Sequence, residues 1–254
     1  MMIIRHHLAS LTIAFAVTMM ATSVQAHDGS IRGVVEFFTS QGCNACPPAD
    51  AVLSSLTKEN DVIALGYHVD YWNYRGWKDT FSQHENTVLQ AGYMKAFGKR
   101  ALFTPQAVIN GQVGVNGSDI MAIRSQLVAT SQQSSLVSGL PLKIEVGNKG
   151  SRIVVKLVST QTEIPADAKL FAIRVEPERK VLIESGENKG RMITYHNIVR
   201  ERQLQHAKLV RGAAISIDRR SLRNGEPGQS EWVFVVQRVT ADGLPGQILG
   251  AGRL

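Results

Sequence analysis

Cysteine is almost missing from this chain: there are two among 254 residues, Cys43 and Cys46, separated by two positions. That excludes a scaffold held together by disulfides. A bridge closing so short a loop would constrain the unfolded chain little, so the value of the pair is chemical rather than structural. Aromatic residues are also sparse, at 6%, but 44% hydrophobic against 19% charged residues excludes a disordered or fibrous chain and supplies a real core. Past residue 26 no apolar run is long enough to cross a bilayer, and neither an internal repeat nor a low-complexity tract occurs. The net charge is +7, yet the cations are scattered. Arg174, Arg179 and Lys180 lie among Glu176 and Glu178, as on a mixed solvated surface, and no nucleic-acid partner is expected.

The first segment has the layout of an export signal. Arg5, His6 and His7 precede the mostly apolar Leu8 to Met20, and Val24-Gln25-Ala26 has the small-x-small pattern of a cleavage site. The expectation is a signal peptide over 1–26, a mature chain from His27 and a periplasmic or secreted location without a stable membrane span. Ser10, Thr12 and Thr18 interrupt the apolar run, which argues against a retained anchor.

Val34 to Phe38 reads as a strand. Ala49, Val52, Leu53 and Leu56, recurring at helical spacing within Pro47 to Lys58, read as a helix, and Val62 to Val69 reads as a second, parallel strand. Thr80 to Gly98 is expected to be helical with Phe81, Val88, Tyr93, Met94 and Phe97 facing inward. Asn110-Gly111 between two apolar runs signals a hairpin, and Ile120, Ile123 and Leu127 a last helix. A serine-rich stretch over 130–138 marks a boundary. Beyond it, eight short strand-like runs, including Leu170 to Val175, Val181 to Glu184 and Met192 to Val199, suggest an antiparallel sandwich or barrel.

Two thiols separated by two residues suit thiol–disulfide exchange, in which one sulfur attacks and the other resolves the mixed disulfide. The same spacing is half of a zinc site. There is no second cysteine pair, however, and His68, His84, His196 and His206 have no paired ligand spacing, so no metal site is assigned.

The run Val34-Val35-Glu36-Phe37-Phe38-Thr39-Ser40-Gln41-Gly42-Cys43-Asn44-Ala45-Cys46, with the later Thr104-Pro105, resembles the thioredoxin superfamily over about residues 31 to 130. More narrowly, Phe38 to Cys43, Cys46-Pro47-Pro48-Ala49-Asp50, His68-Val69-Asp70-Tyr71-Trp72, Gly76-Trp77-Lys78-Asp79, Gly186-Glu187-Asn188 and Thr194 to Glu201 resemble the secreted family catalogued as domain of unknown function 1223.

The resemblance implies an α/β fold class: a thioredoxin-like domain over 27–132 followed by an all-β, sandwich-like domain over 133–254. It implies Cys43 as the exposed attacking thiol, Cys46 as the resolving thiol, Glu36 as its buried proton acceptor and a cis bond at Pro105 beside the dithiol. Thr104, Trp72, Trp77 and His68 are the expected substrate contacts. A helix start favours a thiolate through its unpaired amides, but Pro47 and Pro48 have none to give. The implied function is exported thiol–disulfide exchange on protein or small thiol substrates, with a redox-recycling partner and no organic cofactor. Two other classes fit the same pair: a copper(I) carrier using both sulfurs, with His68 as a candidate further ligand, and a binding module without chemistry.

Overall fold

A computed structural model describes residues 31–131, 139–158, 163–222 and 230–254. The expected signal segment 1–26 and the boundary near 132–133 lie at or beyond the limits of the described residues.

The first half follows the anticipated order: β1 (Gly33–Thr39), α1 (Pro47–Leu56), β2 (Val62–His68), α2 (His84–Ala96), β3 (Gln106–Ile109), β4 (Val113–Asn116) and α3 (Ile120–Ser131). Strands β5 (Lys143–Lys149), β6 (Arg152–Val158), β7 (Ala168–Leu182), β8 (Met192–Gln205), β9 (Ala214–Asp218), β10 (Glu231–Val239) and β11 (Pro245–Arg253) follow. Among the described residues no helix is long and apolar enough to cross a membrane.

The expected fold class is overturned. The chain is mostly β, and strands from both halves form one eight-stranded mixed sheet in the order β11-β10-β7-β8-β2-β1-β3-β4. β1 and β2 are parallel, as predicted, but β8 takes the outer edge of β2, also parallel, with Gly66 opposite Ile198. The join depends on a close approach: a Cβ on Gly66 would lie 3.3 Å from the carbonyl oxygen of His196. Next to it Asn197 adopts a left-handed backbone (φ 45) and donates Nδ2 to the carbonyl of Ala64 at 2.8 Å. A strand pattern shows which face is apolar, not which strand will pair with it, so the merger of the halves was not visible in sequence.

Alternation along β1 sorts its side chains between two cores. Val35 and Phe37 pack with Ala49 and Leu53 of α1 and Ile123 and Leu127 of α3. Val34 and Phe38 pack on the other side with Tyr93 of α2 and with Ile173, Val233 and Val235 of the second half. A separate three-stranded sheet, β5-β6-β9, covers the far end of the large one through Ile153, Val155, Leu170 and Phe234.

The hairpin signal is realised with both Asn110 (φ 49) and Gly111 (φ 65) left-handed. The expected inward face is corrected in part: Phe81 and Tyr93 are buried as expected, but Val88 is 57% exposed, and Asn86 and Gln90 share the buried face of α2. Polar residues occupy that face because they bond to backbone, Asn86 to the carbonyl of His68 and Gln90 to that of Phe103.

Candidate functional site: a covered disulfide

β1 delivers the chain to a turn in which the amide of Cys43 donates to the carbonyl of Ser40 (3.1 Å) and that of Cys46 to the carbonyl of Cys43 (3.2 Å). Cys43 and Cys46 are joined in a disulfide with their Cα atoms 5.4 Å apart. Cys46 is the N-cap of α1, which begins at Pro47, so the pair sits on the turn before the helix.

A helix leaves its first four amides without partners inside the helix. Here two of the four positions are proline, the Cys46 amide is used by Cys43, and the Ala49 amide donates to the Cys46 carbonyl at 2.8 Å. The helix start therefore offers no amide to a thiolate of Cys43.

The expectation of an exposed Cys43 is corrected. Cys43 is 1% and Cys46 0% exposed, although Asn44 and Ala45 between them face solvent. Three segments make the cover. The backbone and Cβ of Trp72 press on Gly42, where a Cβ would lie within 3.3 Å of them. The indole Nε1 of Trp72 donates to Thr104 Oγ1 at 2.7 Å, and the carbonyl oxygen of Thr104 lies 3.9 Å from Cys43 Sγ, ahead of a cis Thr104–Pro105 bond.

The third segment comes from the second half of the chain. In the connection between β7 and β8, Asn188 is buried and its Nδ2 donates to the carbonyls of Gln41 and Cys43, both at 2.9 Å. Ser185 Oγ donates to the carbonyl of Gly76 at 2.5 Å, and Glu187 pairs with Arg75, whose guanidinium lies 4.6 Å over the Trp72 ring.

His68 and Trp77 belong to the support beneath. His68 Nδ1 is 2.7 Å from Asp79 Oδ2, which also accepts the Gln41 amide at 2.8 Å. Trp77 Nε1 donates to Gln41 Oε1 at 2.8 Å. His68 and Asp79 have side chains only 1% and 0% exposed, so they fix the turn from within. Among the described residues no three His, Cys, Asp or Glu side chains group as a metal site.

Glu36 lies elsewhere. It is buried on the α2 side of β1 and accepts from Tyr93 Oη, whose oxygen in turn accepts from Gln237 Nε2 at 2.7 Å. Burial raises its pKa, against the opposing effects of the Tyr93 hydrogen bond and the Arg202 charge. α1, which follows Cys46, packs on the other side. The carboxyl on the cysteine side is Asp50, one helical turn beyond Cys46. Its Oδ1 accepts from Thr39 Oγ1 at 2.8 Å, its buried Oδ2 has no partner among the described residues, and burial pushes its pKa up to about 7.

Cys43, Cys46, Trp72, Thr104 and Pro105 thus come together, with Trp77 and His68 behind them and Glu36 apart. Gln41, Asp79 and Asn188 have no role in the sequence reading, although each lies in one of its motifs, Phe38 to Cys43, Gly76-Trp77-Lys78-Asp79 and Gly186-Glu187-Asn188. An open groove of about 1130 Å³ between α2 and β8, lined by Arg174, Arg200, Arg202 and Leu89, shares none of these residues.

The chain presents a covered Cys-x-x-Cys disulfide between the end of β1 and the start of α1, in a mostly β fold. It belongs to the family described as protein of unknown function (DUF1223), whose model matches residues 34–237. It is similar to the crystal structure of an Agrobacterium tumefaciens protein from a structural-genomics programme, with 30% identity and a TM-score of 0.76 over 89% of this chain and 94% of that one. It also shares a fold with HBP35 of Porphyromonas gingivalis, at 12% identity and a TM-score of 0.61 over 89% of this chain and 75% of that one. No curated protein matches the chain.

Proposed function

We propose that the protein is a thiol–disulfide oxidoreductase that works outside the cytoplasm after loss of residues 1–26. The observation that carries this reading is the Cys43–Cys46 disulfide itself, the chain's only cysteines, held between a strand end and a helix start with the Thr104 carbonyl beside Cys43 Sγ. A substrate thiolate attacks Cys43 Sγ, the Cys43–Cys46 bond breaks, and Cys46 leaves with the bonding electron pair. A second substrate thiolate then attacks the substrate sulfur of the mixed disulfide and expels Cys43. The substrate dithiol loses two electrons to the pair, and the protons from its thiols pass to solvent or to the two new thiolates. The reverse sequence reduces a substrate disulfide, and a recycling partner resets the pair.

Cys46→Ser removes the resolving sulfur, so mixed disulfides through Cys43 accumulate in the exported fraction and disappear on reduction. Absence of such adducts, with no dithiol exchange by the purified wild type, refutes the reading.

A further inference from the structure

Removing Asn188 from its place would leave the Gln41 carbonyl without its side-chain donor and the Cys43 carbonyl with the Cys46 amide alone. Both carbonyls belong to the turn that carries Cys43, and weakening their hydrogen bonding is unfavourable. An extended polypeptide can replace the lost donors because it carries an amide at each residue beside its cysteine. A small thiol has no such set. We propose that the side-chain amide of Asn188 holds the position of a substrate backbone amide, so that the tip joining β7 to β8 gates the disulfide and selects cysteine-containing polypeptides over small thiols. This rests on the exchange reading above.

Two features make the tip displaceable. Asn188 Oδ1 is buried without a partner among the described residues, so the closed position satisfies only one end of the carboxamide. The Arg75–Glu187 pair on the rim is 39% and 30% exposed, a setting in which an ion pair shifts an equilibrium by about a few-fold. The remaining polar hold on the turn is the pair of buried Asn188 bonds together with Ser185 Oγ on the Gly76 carbonyl.

The test compares reduction of the full mature chain by 2-mercaptoethanol and by a reduced ten-residue peptide containing one cysteine, at matched thiolate concentration. The wild type reacts about tenfold faster with the peptide, and Asn188→Ala speeds reduction by 2-mercaptoethanol about tenfold and narrows that preference. The acceleration is insensitive to low urea, as local opening is, whereas global unfolding is steeply dependent on it. Should Asn188→Ala fail to fold, the double variant Arg75→Ala with Glu187→Ala gives the same direction at about threefold.

A folded Asn188→Ala protein that reacts with 2-mercaptoethanol at the wild-type rate overturns the gate, as does an unchanged double variant where that is the one tested. Equal wild-type rates for peptide and small thiol overturn the substrate class. None of these rates depends on trapping a cellular partner, so the oxidoreductase reading fails or survives separately, on the Cys46→Ser adducts.

Discussion

At the end of β1, behind the disulfide, the buried carboxyl of Asp50 accepts from Thr39 and feels the charges of His68 and Asp79, with one oxygen unpaired among the described residues. Burial lifts its pKa from the ordinary 3.8 to about 7, with the Asp79 charge adding to the rise and the His68 charge and the Thr39 hydrogen bond opposing it. Between those values the folded chain holds a proton that the unfolded chain has lost. Stability from this group is therefore full in acid and falls as pH rises through the window. Asp50→Asn keeps the acceptor for Thr39 and removes the titration. Its urea midpoint is predicted to exceed that of the wild type at pH 8, by on the order of a few kcal/mol in stability, with the gap shrinking toward pH 4. Parallel midpoints across that range would show that Asp50 does not titrate. The two cysteines and the Thr104-Pro105 step were legible because each is a short-range pattern. Glu36 is buried, as the resemblance implies, but a carboxylate in an apolar strand signals burial and not which side of the sheet it faces. Asn188 is 145 residues from Cys43 in sequence, and only the folded chain joins them.

Among the elements, β8 contributes most to the departure from expectation. Its contact with β2 requires the absence of a side chain at Gly66, where a Cβ would lie 3.3 Å from both the His196 carbonyl oxygen and Leu53 Cδ1. Gly66→Val is predicted to push β8 away at a cost of about 1–3 kcal/mol, seen as a lower urea midpoint. Because β8 carries the chain on from the tip bearing Asn188, the same variant is predicted to hasten reduction of the disulfide by 2-mercaptoethanol. A variant with unchanged midpoint would mean that β8 does not depend on this close approach. Helix α1 and the Asn110-Gly111 hairpin were readable from period and turn chemistry. The ribbon β7 was not: its charged centre, Glu176 to Lys180, separates two apolar runs and reads as a turn, yet it pairs with β8 throughout most of its length. In helix α2 the pattern finds Tyr93 but misplaces Val88, since a buried face that includes Asn86 and Gln90 has no full apolar period.

For the whole molecule, one sheet joining both halves predicts one cooperative unfolding transition. The three tryptophans report on it from both sides: Trp72 and Trp77 stand by the disulfide, and Trp232 lies in β10. Urea curves from a Trp232→Phe variant and from one carrying Trp72→Phe and Trp77→Phe, each set against its own far-UV signal, are expected to coincide. Two separated transitions would indicate that the halves fold independently. The central claim, that Cys43–Cys46 is a working redox pair, is tested most directly by its reduction potential in defined thiol buffers. A reversible value between about −300 and −100 mV is predicted, the range of disulfides that exchange with partners. A value well below about −300 mV, with reduction only on unfolding, would mark a structural bridge and contradict the account.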